Sequence, residues 1–269
     1  MIPLCQREAS SCGACCGLYN RRDHSRPAVA ARLDERTRAL AGVPRTPKAF
    51  REAARRLAAS EPEPLFPSVR ICPLLGWLDP GRTRIGCLAH PAATGGPDLR
   101  DCGAYDARTC ESFLCPSHSW LAEEEAALVD RVCADVHLYG LVVTDVPFVR
   151  AALAAVEERV GARVERRHVE AAPFRSALRR LFDLKGQLEP GSEGLYGAFR
   201  PGEGGEPVPR EIDYTALGRG RSAHDAILIC VGADPRSGND LDALDAEVGR
   251  RLDACGRTFP APGAPPRAV

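Results

Sequence analysis

The sequence has no excess of charge of either sign, because 36 Lys and Arg residues balance 36 Asp and Glu residues. Proteins that bind nucleic acid usually carry a basic excess, and this composition gives no indication of one. No apolar run is long enough to span a bilayer, and no basic segment followed by an apolar core opens the chain. We therefore expect a cytoplasmic protein that binds neither nucleic acid nor a membrane, and whose protein or small-molecule partner is unknown.

The sequence also lacks the short motifs of several common chemistries. It contains no GxxxxGK[ST] phosphate loop, no GxGxxG after a strand, no HExxH and no GxSxG. The CxxxCxxC spacing of many radical S-adenosylmethionine enzymes is absent as well. His224 and Asp225 suggest a general base, but no nucleophile accompanies them. No catalytic residue is predicted.

Cysteine is what the sequence has in abundance, with twelve residues, nine of them before position 118. Disulfides are rare in a reducing compartment, so this number indicates metal binding or thiol chemistry. The sharpest pattern is Cys12-Gly13-Ala14-Cys15-Cys16, in which a two-residue gap lets both sulfurs of one tight turn reach one metal. A disulfide or a redox CxxC is the alternative, but a redox motif normally follows a buried strand and none is predicted before Cys12.

Five further cysteines lie beside turn residues in the stretch from Pro64 to Pro116, which has no clear periodicity. Metal–thiolate bonds would hold such a stretch together. The nine candidate metal ligands are Cys5, Cys12, Cys15, Cys16, Cys72, Cys87, Cys102, Cys110 and Cys115. They exceed one tetrahedral site and suffice for two mononuclear sites, or for one cluster with extra thiols. The expected cofactor is therefore zinc or iron, the latter including an iron–sulfur cluster.

Other residues near these cysteines have simpler interpretations. His90 and His118 each follow a cysteine at a short gap, but a loop histidine more often caps a helix or faces water. Asp98, Asp101 and Asp106 are typical of turns and helix N-caps. Three later cysteines are expected to be core residues, because unpaired cysteine is usually buried; these are Cys133, Cys230 and Cys255.

The cysteine segments resemble those of a known family. Cys5…Cys12-x-x-Cys15-Cys16, Cys72-Pro73-Leu74-Leu75, Gly86-Cys87-Leu88-Ala89-His90-Pro91 and Arg100-Asp101-Cys102 are similar to the YkgJ-type family of zinc- or iron-chelating proteins. The resemblance covers roughly residues 1–116 and implies metal binding. The chain departs from the family pattern in its longer first gap, in Ala89-His90 and in its additional Cys110 and Cys115. Flagellin lysine N-methylases have a similar cysteine pattern, which makes methyl transfer to protein lysines an alternative.

Hydrophobic periodicity predicts a mainly α fold with minor β (α+β), in which an irregular, Cys-rich, metal-stapled N-terminal region packs with helices. Helices are predicted to begin near Ser25, Thr46, Ser119, Asp145 and Pro173, with a last helix capped by Asn239 or Asp240. Ala226–Val231 is the best strand candidate. We expect a metal-binding region over 1–118, a helical region over 119–257 with a Gly/Pro-rich loop at 187–222, and a disordered tail at 258–269.

Three functions fit these observations. A closed metal site would be structural and would make the chain a binding or assembly module. An open site or an iron–sulfur cluster would instead make it an enzyme of redox chemistry or methyl transfer. Metal storage or delivery is the third, and it predicts weaker, exchangeable binding.

Overall fold

The structure is a computed structural model that describes residues 3–7, 9–133, 135–186 and 197–260. It is mainly helical with two small antiparallel hairpins, which confirms the predicted fold class. The helices are α1 (Arg26–Ala41), α2 (Pro47–Ser60), α3 (Pro91–Thr94), α4 (Ala107–Ser112), α5 (Ser117–Trp120), α6 (Glu123–Val132), α7 (Val136–Val143), α8 (Val146–Val160), α9 (Ala172–Phe182), α10 (Asp225–Cys230) and α11 (Gly238–Thr258). The hairpins pair β1 (Leu75–Trp77) with β2 (Ile85–Cys87), and β3 (Phe199–Pro201) with β4 (Pro207–Pro209).

The first two helices begin where their caps predict. The side-chain oxygen of Ser25 accepts a hydrogen bond from the backbone N–H of Ala28, and that of Thr46 accepts one from Ala49. In both helices a proline lies in the first turn, where its missing N–H costs nothing. Asp145 caps α8 in the same way. These caps are local interactions, which is why the sequence alone locates them.

The strand predicted at Ala226–Val231 is wrong, because this segment forms α10. The N–H groups of Ile227 and Leu228 both donate to the carbonyl oxygen of His224, which begins a helical turn. α10 packs on α8 and α11. A short apolar run buried on several sides has the same sequence pattern in a helix and in a strand, and here the packing decides.

The helix predicted to begin near Ser119 does not continue unbroken through the apolar pattern that follows it. α6 ends at Val132, Cys133 leaves the helical conformation at ψ 77°, and α7 begins after a new cap at Asp135. The last helix is capped by Ser237, whose Oγ accepts from the N–H of Asp240, and not by Asn239 or Asp240. The break after Val132 arises because a capping side chain can begin a new helix within a continuous apolar pattern.

Two predicted irregular segments fall partly outside the described residues. Positions 187–196 of the Gly/Pro-rich loop lie outside the described residues. The rest of the loop includes the hairpin of β3 and β4. Positions 261–269 of the predicted tail also lie outside. The described chain instead continues past α11 to Phe259, whose ring packs against Phe174 and His168 at centroid distances of 5.1 and 4.6 Å.

The main hydrophobic core includes residues from both predicted regions. The Tyr19 hydroxyl donates to the carbonyl oxygen of Val136 at 2.9 Å, and the Tyr139 hydroxyl donates to that of Leu4 at 2.7 Å. A smaller core lies between α2 and the segments around Cys72 and Cys102. The cysteine-rich part therefore packs directly on the helical part, while the boundary at residue 118 stays a prediction.

Within the described ranges, no single helix is long and apolar enough to cross a membrane. α7 and α8 meet the length and composition requirement only as a pair, and their axes are bent by 91° where they join.

Candidate metal centre

A tight turn presents Cys12, Cys15 and Cys16. Ala14–Cys16 form one turn of 3-10 helix, and the N–H of Ala14 donates to Cys12 Sγ at 3.4 Å. A hydrogen bond of this kind favours the charged thiolate, which is the form that binds metal. A Cβ added at Gly13 would lie 2.5 Å from Leu75 Cδ2, so the glycine lets the turn lie directly on β1.

Gly17 brings this turn against the segment that leads to Cys72. Its φ is +75°, and a Cβ there would lie 2.5 Å from the carbonyl oxygen of Arg70. Both features require glycine at this position. As a consequence the N–H of Cys72 donates to the carbonyl oxygen of Cys16 at 2.9 Å. Two cysteines that are distant in sequence are thus neighbours through their backbones.

A first set of four thiols lies near Cys12 and Cys15 of this turn. The N–H of Cys12 donates to the carbonyl oxygen of Cys5 at 3.1 Å. A hydrogen bond between the Cys15 and Cys115 thiols raises the pKa of Cys15 and lowers that of Cys115. The pKa of Cys12 is raised to about 12, chiefly by burial and also by the charges of Cys115 and Cys5. We call Cys5, Cys12, Cys15 and Cys115 the first quartet.

A second set of four thiols gathers around Cys16. Burial raises the pKa of Cys16 well above its usual range, and the charges of Cys72, Cys87 and Cys110 add to this rise. Burial also raises the pKa of Cys87 to about 11, with contributions from Cys72 and Cys110. Such charges act over roughly 10 Å before salt screens them, so these thiols are near neighbours. We call Cys16, Cys72, Cys87 and Cys110 the second quartet.

The two quartets meet at the adjacent residues Cys15 and Cys16. Cys15 contacts Cys115 in the first quartet, whereas Cys16 is influenced by three members of the second. The charge of Cys12 also raises the pKa of Cys16, so the two sets are close to each other. Adjacent cysteines therefore serve different sets of thiols. In each quartet one cysteine is exposed, Cys5 in the first and Cys110 in the second, which places both sets near the surface.

Cys102 is the one predicted ligand that the structure does not bring into either quartet. It is buried in the smaller core, and its thiol donates to the carbonyl oxygen of Pro47 at 3.4 Å. Burial raises its pKa, and the other groups that act on its charge are Arg51 and Asp101. The three later cysteines, Cys133, Cys230 and Cys255, are buried in the main core as predicted.

The thiols are neighbours without forming a finished coordination sphere. Within the described ranges, no three His, Cys, Asp or Glu side chains are arranged so that they could hold a metal ion as they stand. All twelve cysteines, each of them described, are free thiols. The donor set nevertheless fits a thiophilic metal, because four thiolates are the ligand set of structural zinc sites and of iron–sulfur clusters.

The polar residues near the quartets mainly hold turns together. His90 caps α3, where its Nδ1 accepts from the N–H of Ala92, which confirms the capping interpretation. Asp106 caps α4, and Asp98 accepts from the N–H and guanidinium of Arg100. Arg100 lowers the pKa of Cys110, although burial raises it overall. Positive charge near a thiolate favours the deprotonated ligand.

Sequence reasoning missed two residues that touch the candidate ligands. Ser117 is buried, and its hydroxyl and N–H both lower the pKa of Cys115 by hydrogen bonding. Burial raises the pKa of Tyr105, and the charges of Cys16 and Cys72 raise it further, so this side chain lies beside the second quartet. The run Cys115-Pro116-Ser117 is typical of a turn, and a turn there would have predicted that Ser117 lies beside the Cys115 thiol. No local signal marks Tyr105.

Two clefts stand out on the described surface, and no cysteine lines either of them. One lies between α6 and α8 and includes Glu124, Arg150 and Glu157. The other lies between α9 and α11 and includes Arg180 and Glu247.

No protein-family model matches the chain, and no curated protein or solved structure is significantly similar to it.

Proposed function

We propose that the chain is a metal-binding protein that holds two thiolate centres, one in each quartet. The first centre is ligated by Cys5, Cys12, Cys15 and Cys115, and the second by Cys16, Cys72, Cys87 and Cys110. The observation that carries the proposal is the division of eight thiols into two sets of four, the number that a closed zinc site or an iron–sulfur cluster requires.

The proposed role is structural. The stretch from Glu61 to Leu121 contains only short elements, and four of the eight proposed ligands lie in it. A metal in each quartet would join these ligands to Cys5, Cys12, Cys15 and Cys16. It would thereby tie this stretch to the turn and to the main core. Thiol ligation can replace a hydrophobic core in this way. The free thiols fit a reducing compartment, and we infer that the protein is cytoplasmic.

The proposal differs from the family resemblance in its ligands. The YkgJ-type pattern implies Cys102 as a ligand, whereas the geometry favours the additional Cys110 and Cys115. Membership of that family therefore remains an inference from the cysteine segments. Methyl transfer and redox catalysis at a mononuclear site would need an open coordination position, whereas the four cysteines of each quartet would fill a tetrahedral site. We accordingly favour a binding or assembly module over an enzyme or a metal carrier.

Anaerobic purification followed by an absorption spectrum and elemental analysis tests the proposal. A colourless protein with stoichiometric zinc would support two closed structural sites. A brown protein with iron, acid-labile sulfide and absorption near ~400 nm would keep the ligand assignment and favour redox function. A protein without bound metal, whose thermal melting does not change with zinc or iron, would contradict the proposal.

Cys15→Ser tests whether metal binding supports the fold. We expect this variant to lose metal from the first quartet and to melt at a lower temperature, because the turn would no longer be tied to Cys115. Cys255→Ala is the control, since Cys255 is a buried thiol outside both quartets and alanine places no unpaired hydroxyl in the core. An unchanged metal content and melting temperature in Cys15→Ser would contradict the structural role.

A further inference from the structure

Three arginines gather around one carboxylate at the junction of α1 and α2. Arg32 and Arg36 project from α1, Arg21 comes from the loop before it, and Glu61 follows the end of α2. Arg36 and Arg21 expose only 1% and 2% of their surface, whereas Arg32 is half-buried. Arginine is seldom fully buried unless its charge is paired. This arginine cluster, defined by Arg21, Arg32 and Arg36, uses none of the thiols discussed above.

Glu61 pairs directly with two members of the arginine cluster. Arg36 donates from Nε and Nη2 to Glu61 Oε1 at 2.9 and 2.5 Å, and Arg21 Nη2 contacts Oε2. Arg21 also donates from Nη1 to the carbonyl oxygen of Pro62 at 2.9 Å. Arg32 donates from Nη2 to the carbonyl oxygen of Asp23 at 2.5 Å. One carboxylate and two carbonyl oxygens therefore serve three guanidinium groups.

Several guanidinium nitrogens remain buried without a partner among the described residues. They are Arg21 Nε, Arg32 Nη1 and Arg36 Nη1. Each arginine of the cluster thus keeps an unused donor. A buried donor that loses water without gaining an acceptor is costly, and the cost is larger for a charged group.

The charges of the cluster are also unbalanced. Three positive groups face one directly paired carboxylate. The charge of Asp23 also acts on Arg32, but the Asp23 side chain is exposed and accepts from the N–H of Ser25. The pKa of Arg21 is lowered to about 10, chiefly by burial and also by the charges of Arg32 and Arg36, while Glu61 acts in the opposite direction. A negatively charged ligand would relieve this repulsion and accept the unused hydrogen bonds.

We propose that the arginine cluster binds a tetrahedral oxyanion, a phosphate or sulfate group, either free or as part of a larger molecule. Each arginine of the cluster keeps one guanidinium nitrogen unused, and a tetrahedral oxyanion has several oxygens that can accept charge-assisted hydrogen bonds from these donors. We take Arg32 as the entrance residue because it is half-buried, whereas Arg21 and Arg36 are almost fully buried beside Glu61. The site would connect anion binding to the packing of α1 on α2.

The test uses the full chain and compares thermal melting in phosphate, sulfate and chloride at matched ionic strength. Arg32→Ala removes the entrance residue without touching the ion pairs of Glu61. Arg38→Ala is the matched control, because Arg38 is an exposed arginine on the same helix. We expect phosphate and sulfate to raise the melting temperature of the wild type and of Arg38→Ala by several degrees, with saturation, and to have little effect on Arg32→Ala.

An equal rise in all three proteins would overturn the proposal, because it would show the general stabilisation that these salts give to folded proteins. No rise beyond that in chloride would overturn it as well, and the arginine cluster would then be only a structural clamp between the helices. Titration with a phosphate monoester, followed by 31P NMR line broadening, separates the two sources of ligand. Broadening stronger than that of inorganic phosphate would identify an esterified ligand, and equal broadening would identify the free anion.

Discussion

The backbone N–H of Cys72 donates a 2.9 Å hydrogen bond to the carbonyl oxygen of Cys16, although α1 and α2 lie between these residues in the chain. A second bond, from Cys12 N–H to the Cys5 carbonyl at 3.1 Å, joins two cysteines of the first quartet. Each quartet therefore contains one pair of cysteines that the backbone itself brings together. The approach of the remaining thiols then depends on β2, α4 and the turn before α5.

The ligand assignment predicts opposite results for two neighbouring cysteines. Cys110→Ser should remove the metal of the second quartet, so that the metal content falls from about two atoms or clusters per chain to about one. Cys102→Ser should keep its metal, because that thiol bonds to Pro47 and the serine hydroxyl can make the same bond. Elemental analysis of the two purified variants decides the point. Metal loss in Cys102→Ser alone would favour the family pattern over the quartets.

Gly17 is predicted to be essential for the approach of the turn to residues 70–72. Gly17→Ala should lower the free energy of unfolding by roughly 3 kcal/mol or more, because it combines positive-φ strain with a Cβ that would lie 2.5 Å from the Arg70 carbonyl oxygen. Gly161→Ala is the control, since Gly161 also has a positive φ of +67° but has open space around its Cα. That variant should lose only about 1 kcal/mol. Equal losses in urea denaturation would contradict the close approach.

The buried ion pair of Lys185 and Asp145 predicts a large effect of removing one charge. Lys185 Nζ donates to Asp145 Oδ2 at 2.7 Å and to the carbonyl oxygen of Cys230 at 2.8 Å, and its side chain is 1% exposed. Asp145→Asn keeps the cap of α8 but leaves a buried ammonium without its counter-charge, at a cost of about 3–5 kcal/mol. Glu170→Gln, which removes the exposed pair with Arg131, should cost less than about 1 kcal/mol.

His137 predicts that stability falls as the pH falls below about 6.5, the ordinary pKa of histidine. Burial lowers the pKa of His137, so the folded state keeps the ring neutral while the unfolded state takes up a proton. Unfolding then binds protons, and stability is lost as the pH decreases towards the folded-state pKa. Its Nε2 lies 2.9 Å from the His24 carbonyl oxygen, while Nδ1 is buried without a partner among the described residues.

His137→Gln isolates this effect from the acid-induced release of metal, which both proteins share. The glutamine amide can still donate to the His24 carbonyl oxygen but does not titrate. Thermal melting between pH 8 and pH 5.5 should therefore show a shallower loss of stability in the variant than in the wild type. Parallel curves would show that His137 does not contribute to the pH dependence.

The features that the sequence predicted correctly depend on local interactions. The caps at Ser25, Thr46 and Asp145 need only a side-chain oxygen and the next turn of helix, so the sequence is sufficient for them. α10 was assigned to a strand because Ala226–Val231 is apolar without a period, and its helical form depends on packing against α8 and α11. Ser237 was missed because the neighbouring Asn239 and Asp240 are equally good caps by residue type.

The sequence predicted which residue type forms the candidate site, but it did not predict which cysteines lie together in one quartet. Cysteine spacing identified the turn at Cys12 and the loop thiols, yet it could not separate Cys102 from Cys110 and Cys115. That separation depends on where α2 and α4 place each thiol: Cys102 faces Pro47, while Cys110 lies beside Cys72. The division of Cys15 and Cys16 between two quartets likewise follows from tertiary contacts, because adjacent cysteines look equivalent in the sequence.

The number of metal centres per chain is the most direct test of two separate thiolate centres. Anaerobically purified protein should be analysed for metal against a protein concentration from amino-acid analysis, with Cys12→Ser and Cys16→Ser in parallel. We expect two zinc atoms or two clusters in the wild type. Each variant should retain one, because Cys12→Ser empties the first quartet and Cys16→Ser empties the second. A single centre in the wild type that both variants abolish would contradict two separate quartets, and a wild type without metal would contradict the account as a whole.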